Sequence, residues 1–240
     1  MQGESLETLE LEDRGVRGDR SYGVLDLGTG TVISAKRDGR LLLAAASLEG
    51  DTPRIRLPHG KVTSGTGPEV DAALSAWLER PVRLVRAAAD QCATYERQLD
   101  FEADGSASGR WEGPPGSFVD KSPLHLLTTA SLRGLRLDRD DLQVELRRFR
   151  PNVLLELDGE GFVEQDWIGW SLGLGAARMR VHEPCARCVV TTREQPGGIA
   201  RQLDVLRHLN GVHGGNFGVR ATVVAGGHVA VGQPVEVVPG

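Results

Sequence analysis

Length, composition and charge first limit what kind of protein this is. A chain of 240 residues is long enough for one large or two small domains with a proper core. The net charge of -5 at pH 7 and the pI of about 5.7 give no sign of the basic surface that a nucleic-acid-binding protein presents. Three cysteines, an odd number, argue against a secreted disulfide framework.

The sequence also shows no targeting pattern. No apolar run approaches the ~18 residues that a membrane-spanning helix needs. Residues 1–5 lack the basic-then-apolar order of a signal peptide. We therefore expect a cytoplasmic protein without a membrane span.

Short strands dominate the prediction for the N-terminal half. Apolar alternation and glycine-rich turns predict strands, and the helical spacing of residues 69–79 predicts one helix that stops at Pro81. The predicted strands are residues 6–11, 23–34 (a hairpin), 40–48, 54–57 and 82–85. Cys92 lies in a polar stretch and is interpreted as a structural or incidental cysteine. The Gly, Ser and Asp content of residues 102–115 predicts a mobile loop.

The C-terminal half continues the same pattern. Residues 119–132 predict a turn, a strand and the start of a helix that Ser131 caps. Further strands are predicted at residues 147–156, 166–175 and 214–237, and a second helix at residues 199–209. Many short strands with frequent turns favour a β-dominated α+β protein, with a barrel-like β fold and a few peripheral helices.

The pair Cys185 and Cys188, three residues apart with Arg187 between them, is the strongest chemical motif. A structural zinc site would need two more ligands, such as Cys92 and His182. A thioredoxin-type redox pair requires a helix at the motif, whereas residues 189–192 look strand-like. Two ordinary buried cysteines are the plain alternative. A soft thiolate, favoured by a neighbouring arginine, is also a natural ligand for a heavier metal centre.

Other motifs are weaker. The arginine-rich residues 14–22 are either a solvated loop or an anion site, because the forked donors of arginine suit phosphate. The six histidines form no H-x-x-x-H or H-E-x-x-H pattern, so each is interpreted as a surface or core residue. No G-x-S-x-G elbow supports serine hydrolysis.

Six segments in order resemble one family. The residues 185–192 read C-A-R-C-V-V-T-T and match its C-x-R-C-x-x-T-T motif, and residues 148–152 match its R-F-R-P-N element. The other matches are Asp19-Arg20 with Tyr22, residues 122–126 with 130–132, residues 166–175, and residues 231–235. On these motifs the chain resembles the MOSC-domain family (the molybdenum cofactor sulfurase C-terminal domain family) with its N-terminal region. Within that family it is most similar to the amidoxime-reducing component and its bacterial relatives.

The resemblance implies a molybdenum cofactor, Mo-molybdopterin, bound through its pterin dithiolene. In the family the second cysteine of the pair ligates the metal, so Cys188 is the expected metal ligand and catalytic residue. Cys185 is expected to be its neighbour. The expected cofactor-binding residues are Arg20, Ser122, Arg150, Asn152, Ala186, Arg187 and Cys188. Arg220 stands where animal members have tyrosine.

The resemblance also implies an activity. The expected enzyme is a molybdenum-dependent oxidoreductase that reduces small N-hydroxylated or N-oxygenated compounds, with the cofactor carrying the redox step. An iron–sulfur cluster takes four ligands, so the electrons are expected from a separate flavin, iron–sulfur or haem protein. No nucleic acid is expected as a partner. The alternative is a non-catalytic carrier of the cofactor or of persulfide sulfur, because family members are fused to pyridoxal-phosphate-dependent sulfurases. A β-barrel with two buried cysteines and no cofactor is the third possibility.

The same resemblance gives the expected domain organisation. Residues 1–85 form the N-terminal β-rich region, residues 86–118 a loop or linker region, and residues 119–240 the MOSC domain. Family members carry a Pro-x-Lys-Ser element just ahead of the point that corresponds to Met1. The first strand of the N-terminal region is therefore expected to be missing from this sequence.

Overall fold

The computed structural model describes residues 1–96, 109–119 and 121–240 and confirms a β-dominated α+β fold. In chain order the elements of these residues are β1 (Thr8–Glu12), β2 (Gly15–Val16), β3 (Tyr22–Asp26), β4 (Ala45–Glu49), β5 (Thr52–Arg56), β6 (Val62–Ser64), α1 (Pro68–Leu78), β7 (Val82–Arg86), β8 (Cys92–Glu96), β9 (Arg110–Pro115), β10 (Leu124–Thr128), α2 (Thr129–Asp138), α3 (Leu146–Phe149), β11 (Val153–Leu155), β12 (Ser171–Leu174), β13 (Ala177–Ala186), α4 (Asp204–Val212), β14 (Asn216–Ala225), β15 (Gly227–Ala230) and β16 (Val235–Val238). Short 3-10 helices span Gly39–Leu43, Val163–Trp167 and Val189–Thr192. None of the helices in the described ranges is long and apolar enough to cross a membrane.

The chain forms two compact units. The first comprises Met1–Glu4, Arg20–Lys121 and Glu194–Gly198. The second comprises Ser5–Asp19, Ser122–Arg193 and Ile199–Gly240. The second unit thus includes β1, which lies within the predicted N-terminal region 1–85. Its longest segment begins at Ser122, three residues after the predicted start of the MOSC domain at residue 119.

Helix α1 organises the core of the first unit. Pro68 stands at its start, where the fixed φ of proline suits the first turn. Glu69 and Asp71 lie in the first turn, where their negative charges interact favourably with the positive end of the helix dipole. Glu79 ends the helix in a left-handed conformation, with φ of 54°. The predicted helix is therefore confirmed. The side chains buried around it include Val24, Leu41, Ile55, Leu57, Leu74, Leu78 and Leu84.

Two predictions for the first unit are wrong in part. The hairpin at residues 23–34 turns as expected, but Val32 forms only an isolated bridge to Leu25, and the main partner of β3 is β7. Residues 110–115, predicted as part of a loop, form β9 and pair with β8. Stacking of Tyr95 on Trp111, with ring centroids 4.6 Å apart, holds this hairpin together. Residues 102–108 of the predicted loop lie outside the described residues.

Residues 39–43 form a 3-10 helix instead of the start of a strand. The buried Asp38 side chain accepts a hydrogen bond from the backbone N–H of Arg40 at 3.1 Å and caps this helix. It also pairs with the guanidinium groups of Arg40 and Arg80, at 2.8 and 3.0 Å. Burial of Asp38 raises its pKa, but its bonds to Arg40 and the charge of Arg80 outweigh that effect, so the pKa is lowered.

The second unit is built on a curled six-stranded sheet with the order β11-β10-β14-β13-β12-β16. All neighbours are antiparallel except β10 and β11. A smaller sheet, β15-β1-β2, belongs to the same unit. Side chains buried against these sheets include Leu11, Leu124, Leu126, Leu172, Met179, Val181 and Val219.

The start of α2 differs from the prediction. Thr128, not Ser131, caps the helix, and its hydroxyl accepts the Ser131 N–H at 3.0 Å. Ser131 lies inside the helix, and its hydroxyl donates to the buried carboxyl of Glu164, at 2.6 Å from Oε2. The Thr128 hydroxyl also donates to Glu164, at 2.8 Å. Desolvation raises the pKa of Glu164.

The predicted strand at residues 147–156 is also shorter than expected. Its first part is the one-turn helix α3, and only Val153–Leu155 pair in the sheet. Arg148 and Phe149 on this turn are fully buried side by side, whereas successive side chains of a strand point to opposite faces. Residues 163–167, partly predicted as strand, likewise form a 3-10 helix before β12.

Candidate functional site

The two cysteines of the motif lie where β13 leaves the sheet. Cys185 is buried on β13, and the pairing of β13 with β14 is irregular between Pro184 and Ala186. Proline has no N–H to donate, which fits an irregular position in a strand. Such irregularities bend a strand and redirect its side chains. Cys188 follows outside the strand and is half-buried, and neither cysteine is in a disulfide.

Cys188 begins the 3-10 helix Val189–Thr192, so the strand-like interpretation of these residues was wrong. The carbonyl of Cys188 accepts the backbone N–H of Thr191 at 3.0 Å and the Thr191 hydroxyl at 2.9 Å. The Thr192 hydroxyl donates to the carbonyl of Val189 at 2.8 Å. The two threonines of the motif therefore fix the backbone directly after Cys188.

Arg187 connects the cysteine motif to other segments of the second unit. Its Nη1 donates to Cys185 Sγ at 2.9 Å, and its Nη2 donates to the Phe149 carbonyl at 2.6 Å. Nη1 also lies 3.4 and 3.5 Å from the two ring nitrogens of His125, a contact longer than an ordinary hydrogen bond. The buried Nε has no hydrogen-bond partner among the residues that the structure describes. The arginine between the cysteines thus contacts Cys185 directly and keeps one donor unused.

A second arginine, Arg148, forms hydrogen bonds to the segment that follows Cys188. It is fully buried, and the acceptors of its guanidinium among the described residues are neutral oxygens. Nη1 lies 3.2 Å from the Thr191 carbonyl, and Nη2 lies 2.7 Å from the Ala200 carbonyl. Its remaining donors bond to the backbone and side chain of Gln143, both at 2.8 Å. Desolvation lowers the pKa of Arg148.

Asn152 joins three segments of the motif set. Its side-chain oxygen accepts the backbone N–H of His125 at 2.9 Å, and its own N–H donates to the His125 carbonyl at 2.8 Å. Its side-chain nitrogen donates to the Asp19 carboxylate at 2.9 Å. Both the oxygen and the nitrogen of the Asn152 side chain are therefore hydrogen-bonded within the protein. Asn152, expected to bind the cofactor, therefore also positions the backbone on which Ser122 and His125 lie.

The close approach of β14 to His125 depends on Gly218. His125 Nε2 lies 3.2 Å from the Phe217 carbonyl, a distance that suits an N–H donated to that oxygen. A Cβ atom built on Gly218 would lie 2.6 Å from the Leu126 carbonyl, and φ at this glycine is 77°. Both facts exclude an ordinary side chain here. His125 therefore belongs to the group of side chains around Arg187, although the sequence marked it only as part of a matching segment.

Ser122 lies among polar groups of β13 and β14. Its hydroxyl donates to the Ala221 carbonyl at 3.0 Å and lies 3.2 Å from His182 Nε2. On the same strands, Arg220 pairs with Glu183 at 3.0 Å, so its side chain has a defined structural partner. Ala186 is exposed at the end of β13, opposite Asn216.

Arg150 and Arg20 share an uncommon backbone conformation. Arg150 follows α3 with φ of 54°, and Arg20 has φ of 50°. Non-glycine residues with positive φ are uncommon, and they cluster at binding and catalytic sites. Arg20 belongs to the first unit and Arg150 to the second. The convergence of Arg20 with the other site residues stays a prediction.

The structure thus brings together three of the residues singled out in the sequence, Asn152, Arg187 and Cys185. It also fixes the backbone next to Arg150, through Phe149, and the backbone after Cys188, through Thr191. It adds Arg148 and His125, which lie in matching segments of the sequence but are not among the expected cofactor-binding residues. An open surface depression of about 600 Å³ lies elsewhere in the second unit, beside Glu10–Arg14 and Gly226–Gly227. Its lining includes three carboxylates and Arg14, which belongs to the arginine-rich segment interpreted as a solvated loop or an anion site. It contains none of the expected cofactor-binding residues and no cysteine or histidine.

Comparison with known proteins points to one family. A family model for the MOSC domain matches residues 114–236, just over half of the chain. Mitochondrial amidoxime-reducing component 1 of Xenopus laevis is 33% identical over 84% of this chain and 62% of the relative. The chain therefore spans less than two thirds of that relative's length.

Distant likenesses to solved structures also exist. YiiM of Escherichia coli has a TM-score of 0.36 and 18% identity, over 50% of this chain and 56% of the other. YiiM of Geobacillus stearothermophilus has a TM-score of 0.37 and 14% identity, over 62% of this chain and 73% of the other.

Proposed function

The chain belongs to the MOSC domain family, and from this premise we propose that it is a molybdenum-cofactor oxidoreductase that reduces N-hydroxylated or N-oxygenated compounds. The observation that carries the proposal is the position of Arg187. It joins the cysteine motif to the segment around Phe149, the two parts of the sequence whose motifs are most specific. The similarity to an amidoxime-reducing component supports the choice of substrate class.

The donor set around Arg187 suits Mo-molybdopterin. Cys188 offers a free, half-buried thiol, and thiolate is a good ligand for a soft-tolerant metal. The buried Nε of Arg187 is a charged donor without an acceptor among the described residues. An anionic oxygen or sulfur atom of the cofactor would accept its hydrogen bond. Buried polar groups are rarely left without a partner, so this nitrogen supports a ligand at this place.

The remaining residues would hold the cofactor by its polar groups. Arg20 and Arg150 carry forked donors that suit the phosphate end of the cofactor. Their positive φ is typical of backbone that is held in place at functional sites, so each side chain extends from a defined position. Ser122 offers a hydroxyl, and the exposed Ala186 leaves the backbone beside it accessible. Asn152 is already bonded on both sides, so its contribution is mainly to position its neighbours.

The cofactor would supply the two-electron redox change, in which the N–O bond of the substrate breaks and the oxygen leaves as water after uptake of two protons. The chain would contribute the Cys188 thiolate, the orientation of the cofactor and positive charge from its arginines. Asp19, through Asn152, keeps the backbone of His125 in place beneath Arg187. These groups bind and position, and none of them undergoes redox chemistry.

The electrons would come from a separate donor protein. An iron–sulfur cluster takes four ligands, whereas the sequence has three cysteines, of which Cys188 is assigned to molybdenum. A flavin, iron–sulfur or haem protein is therefore the expected partner. We also propose that the chain works in the cytoplasm, with a small molecule as its substrate and no nucleic acid involved.

A second candidate function is a carrier of the cofactor or of persulfide sulfur. The contact of Arg187 Nη1 with Cys185 Sγ favours it, because a guanidinium beside sulfur stabilises a negatively charged sulfur atom. A persulfide found on Cys185 or Cys188 by mass spectrometry, in protein without reductase activity, would select this function.

The test is a cysteine series made in a molybdenum-replete host. Cys188→Ala should lose at least about 100-fold in amidoxime reduction with an artificial electron donor, a loss of the size seen when a key catalytic interaction is removed. Cys92→Ala is the matched control, because Cys92 is exposed on β8 in the first unit, and it should keep activity. Full activity of Cys188→Ala with bound molybdenum would defeat the proposal, and wild-type protein that binds molybdenum without reducing any N-oxygenated compound would favour the carrier.

A further inference from the structure

Three metal-binding side chains converge at the ends of two helices in the second unit. Asp138 is the last residue of α2, His208 lies on α4, and His213 directly follows α4. Their ligand atoms all lie within 4.8 Å of one another. His213 Nε2 lies 2.7 Å from Asp138 Oδ2, and His208 Nε2 lies 3.6 Å from the same oxygen. Two imidazoles thus face one carboxylate.

His208 provides an independent sign of a missing ligand. Its side chain is 10% exposed, and its Nε2 is buried without a hydrogen-bond partner in the described part of the chain. The separation of 3.6 Å from Asp138 is too long for a hydrogen bond. Buried polar atoms of this kind call for a partner such as an ion. The carboxylate of Asp138 thus bonds to His213 and not to His208.

We propose that Asp138, His208 and His213 bind one divalent transition-metal ion of the zinc type. Two imidazoles and one carboxylate are a common ligand set for Zn²⁺, whereas Mg²⁺ and Ca²⁺ prefer oxygen ligands alone. Ligand atoms on tetrahedral zinc lie about 3.3 Å apart at bond lengths of about 2.0–2.1 Å. The 3.6 Å between His208 Nε2 and Asp138 Oδ2 is close to this value, and the 2.7 Å between His213 Nε2 and the same oxygen has to open. The ligand atoms of the two histidines lie within 4.8 Å of each other.

The surroundings fit an ion with one open position. The ring of Phe162 packs on His213, with centroids 4.1 Å apart, and limits rotation of that imidazole. Asp138 is 34% exposed, so water can reach the fourth position from the side of the carboxylate. None of the three ligands is among the residues proposed to hold molybdenum, so the two sites share no ligand.

The ion would tie the end of α2 to the end of α4. Helix α4 contacts the 3-10 helix Val189–Thr192, whose backbone follows Cys188. The expected role is therefore structural: the ion stabilises the unit that carries the cysteine motif. A bound ion stabilises the folded chain in proportion to its affinity and concentration.

The experiment is a titration of the chelator-treated full chain with Zn²⁺ alone, by isothermal titration calorimetry and thermal unfolding. One equivalent should bind and raise the melting temperature. His208→Ala and Asp138→Asn should each weaken binding at least ~10-fold. His228→Ala is the matched control, because His228 is exposed on β15, and it should bind Zn²⁺ like the wild type.

Two further readouts separate this site from the cysteines and from misfolding. With Co²⁺ as the probe, nitrogen and oxygen ligands should give visible absorption without the intense near-ultraviolet band of cobalt–thiolate bonds. Far-ultraviolet circular dichroism checks the fold of each variant, and Asp138→Asn preserves the shape of a partly exposed side chain. Absence of binding, unchanged binding by both variants, or a thiolate band lost in Cys188→Ala would each overturn the proposal.

Discussion

Arg187 makes contacts that a lysine cannot reproduce. Its two terminal nitrogens reach the Phe149 carbonyl and Cys185 Sγ at the same time, while its Nε faces a position without a protein partner. A lysine ammonium is a single point of charge and cannot span these groups. Hydrogen bonds from a charged donor contribute about 1.5–3 kcal/mol each.

We expect Arg187→Lys to lower the free energy of unfolding by about 1–3 kcal/mol, because one or two of these bonds are lost. It should also lower the molybdenum content of the purified protein. Denaturant unfolding and metal analysis measure the two effects. Arg207→Lys is the control, because Arg207 forms an exposed pair with Asp204 and should change stability by less than about 0.5 kcal/mol. Equal behaviour of the two variants would contradict the role given to Arg187.

Glu164 is a second residue with an unusual environment. Its carboxyl is fully buried and accepts from the hydroxyls of Thr128 and Ser131, without a cation among these contacts. Burial raises its pKa above the ordinary value of 4.5. As the pH rises from 4.5, the unfolded chain releases this proton while the folded chain retains it. Stability therefore falls with rising pH until the pKa of the folded state is passed.

Glu164→Gln removes this titration, so the variant should gain stability relative to the wild type as the pH rises from about 4.5 to the pKa of the folded state. The slope of the difference is at most about 1.4 kcal/mol per pH unit for one proton. Urea unfolding at several pH values measures it. Glu160→Gln, at an exposed position nearby in sequence, should show no such slope. A difference between wild type and Glu164→Gln that is constant over this pH range would refute the assignment.

At the scale of elements, the short helix α3 and the 3-10 helix Val189–Thr192 depend on Arg148. Its guanidinium bonds to carbonyls of Thr191 and Ala200 and to Gln143 from a fully buried position. The bonds to the carbonyls of Thr191 and Arg193 are buried, whereas those to Gln143 and Ala200 are partly exposed. A buried acceptor that loses its donor costs about 1–3 kcal/mol.

Arg148→Met should therefore destabilise the chain by about 3 kcal/mol, since the buried carbonyls of Thr191 and Arg193 lose their donor together. The midpoint of chemical unfolding measures this loss. Arg147→Met is the adjacent control, because Arg147 is exposed on the same turn and should cost less than about 1 kcal/mol. A Met variant at position 148 as stable as the one at position 147 would show that the buried bonds contribute little.

The elements that the sequence predicted well are those with a strong local pattern. Helix α1 has an apolar stripe, acidic residues at its start and a proline in its first turn, all within eleven residues. The 3-10 helix Gly39–Leu43 was missed because its cause is the capping carboxylate of Asp38, which also depends on the distant Arg80. Helix α3 was missed for the same kind of reason, since the buried bonds of Arg148 reach about fifty residues along the chain.

At the scale of the whole molecule, the resemblance predicted segments of the site, and the fold of the second unit explains how three of them meet. The pairing of β11 with β10, of β10 with β14 and of β14 with β13 brings residues near positions 152, 122 and 185 into one sheet. The contact of Arg187 with Cys185 and the part played by His125 could not be predicted, because both depend on strand irregularities and on Gly218. The convergence of His208 and His213 with Asp138 was missed because that carboxylate lies 70 residues earlier than His208.

The central claim is that the Cys188 thiolate is a ligand of molybdenum. X-ray absorption at the molybdenum edge, on protein made in a molybdenum-replete host, tests it most directly. We expect a protein sulfur ligand in the wild type and in Cys92→Ala, and one sulfur fewer in Cys188→Ser at equal or reduced molybdenum content. The same number of sulfur ligands in Cys188→Ser as in the wild type would contradict the claim.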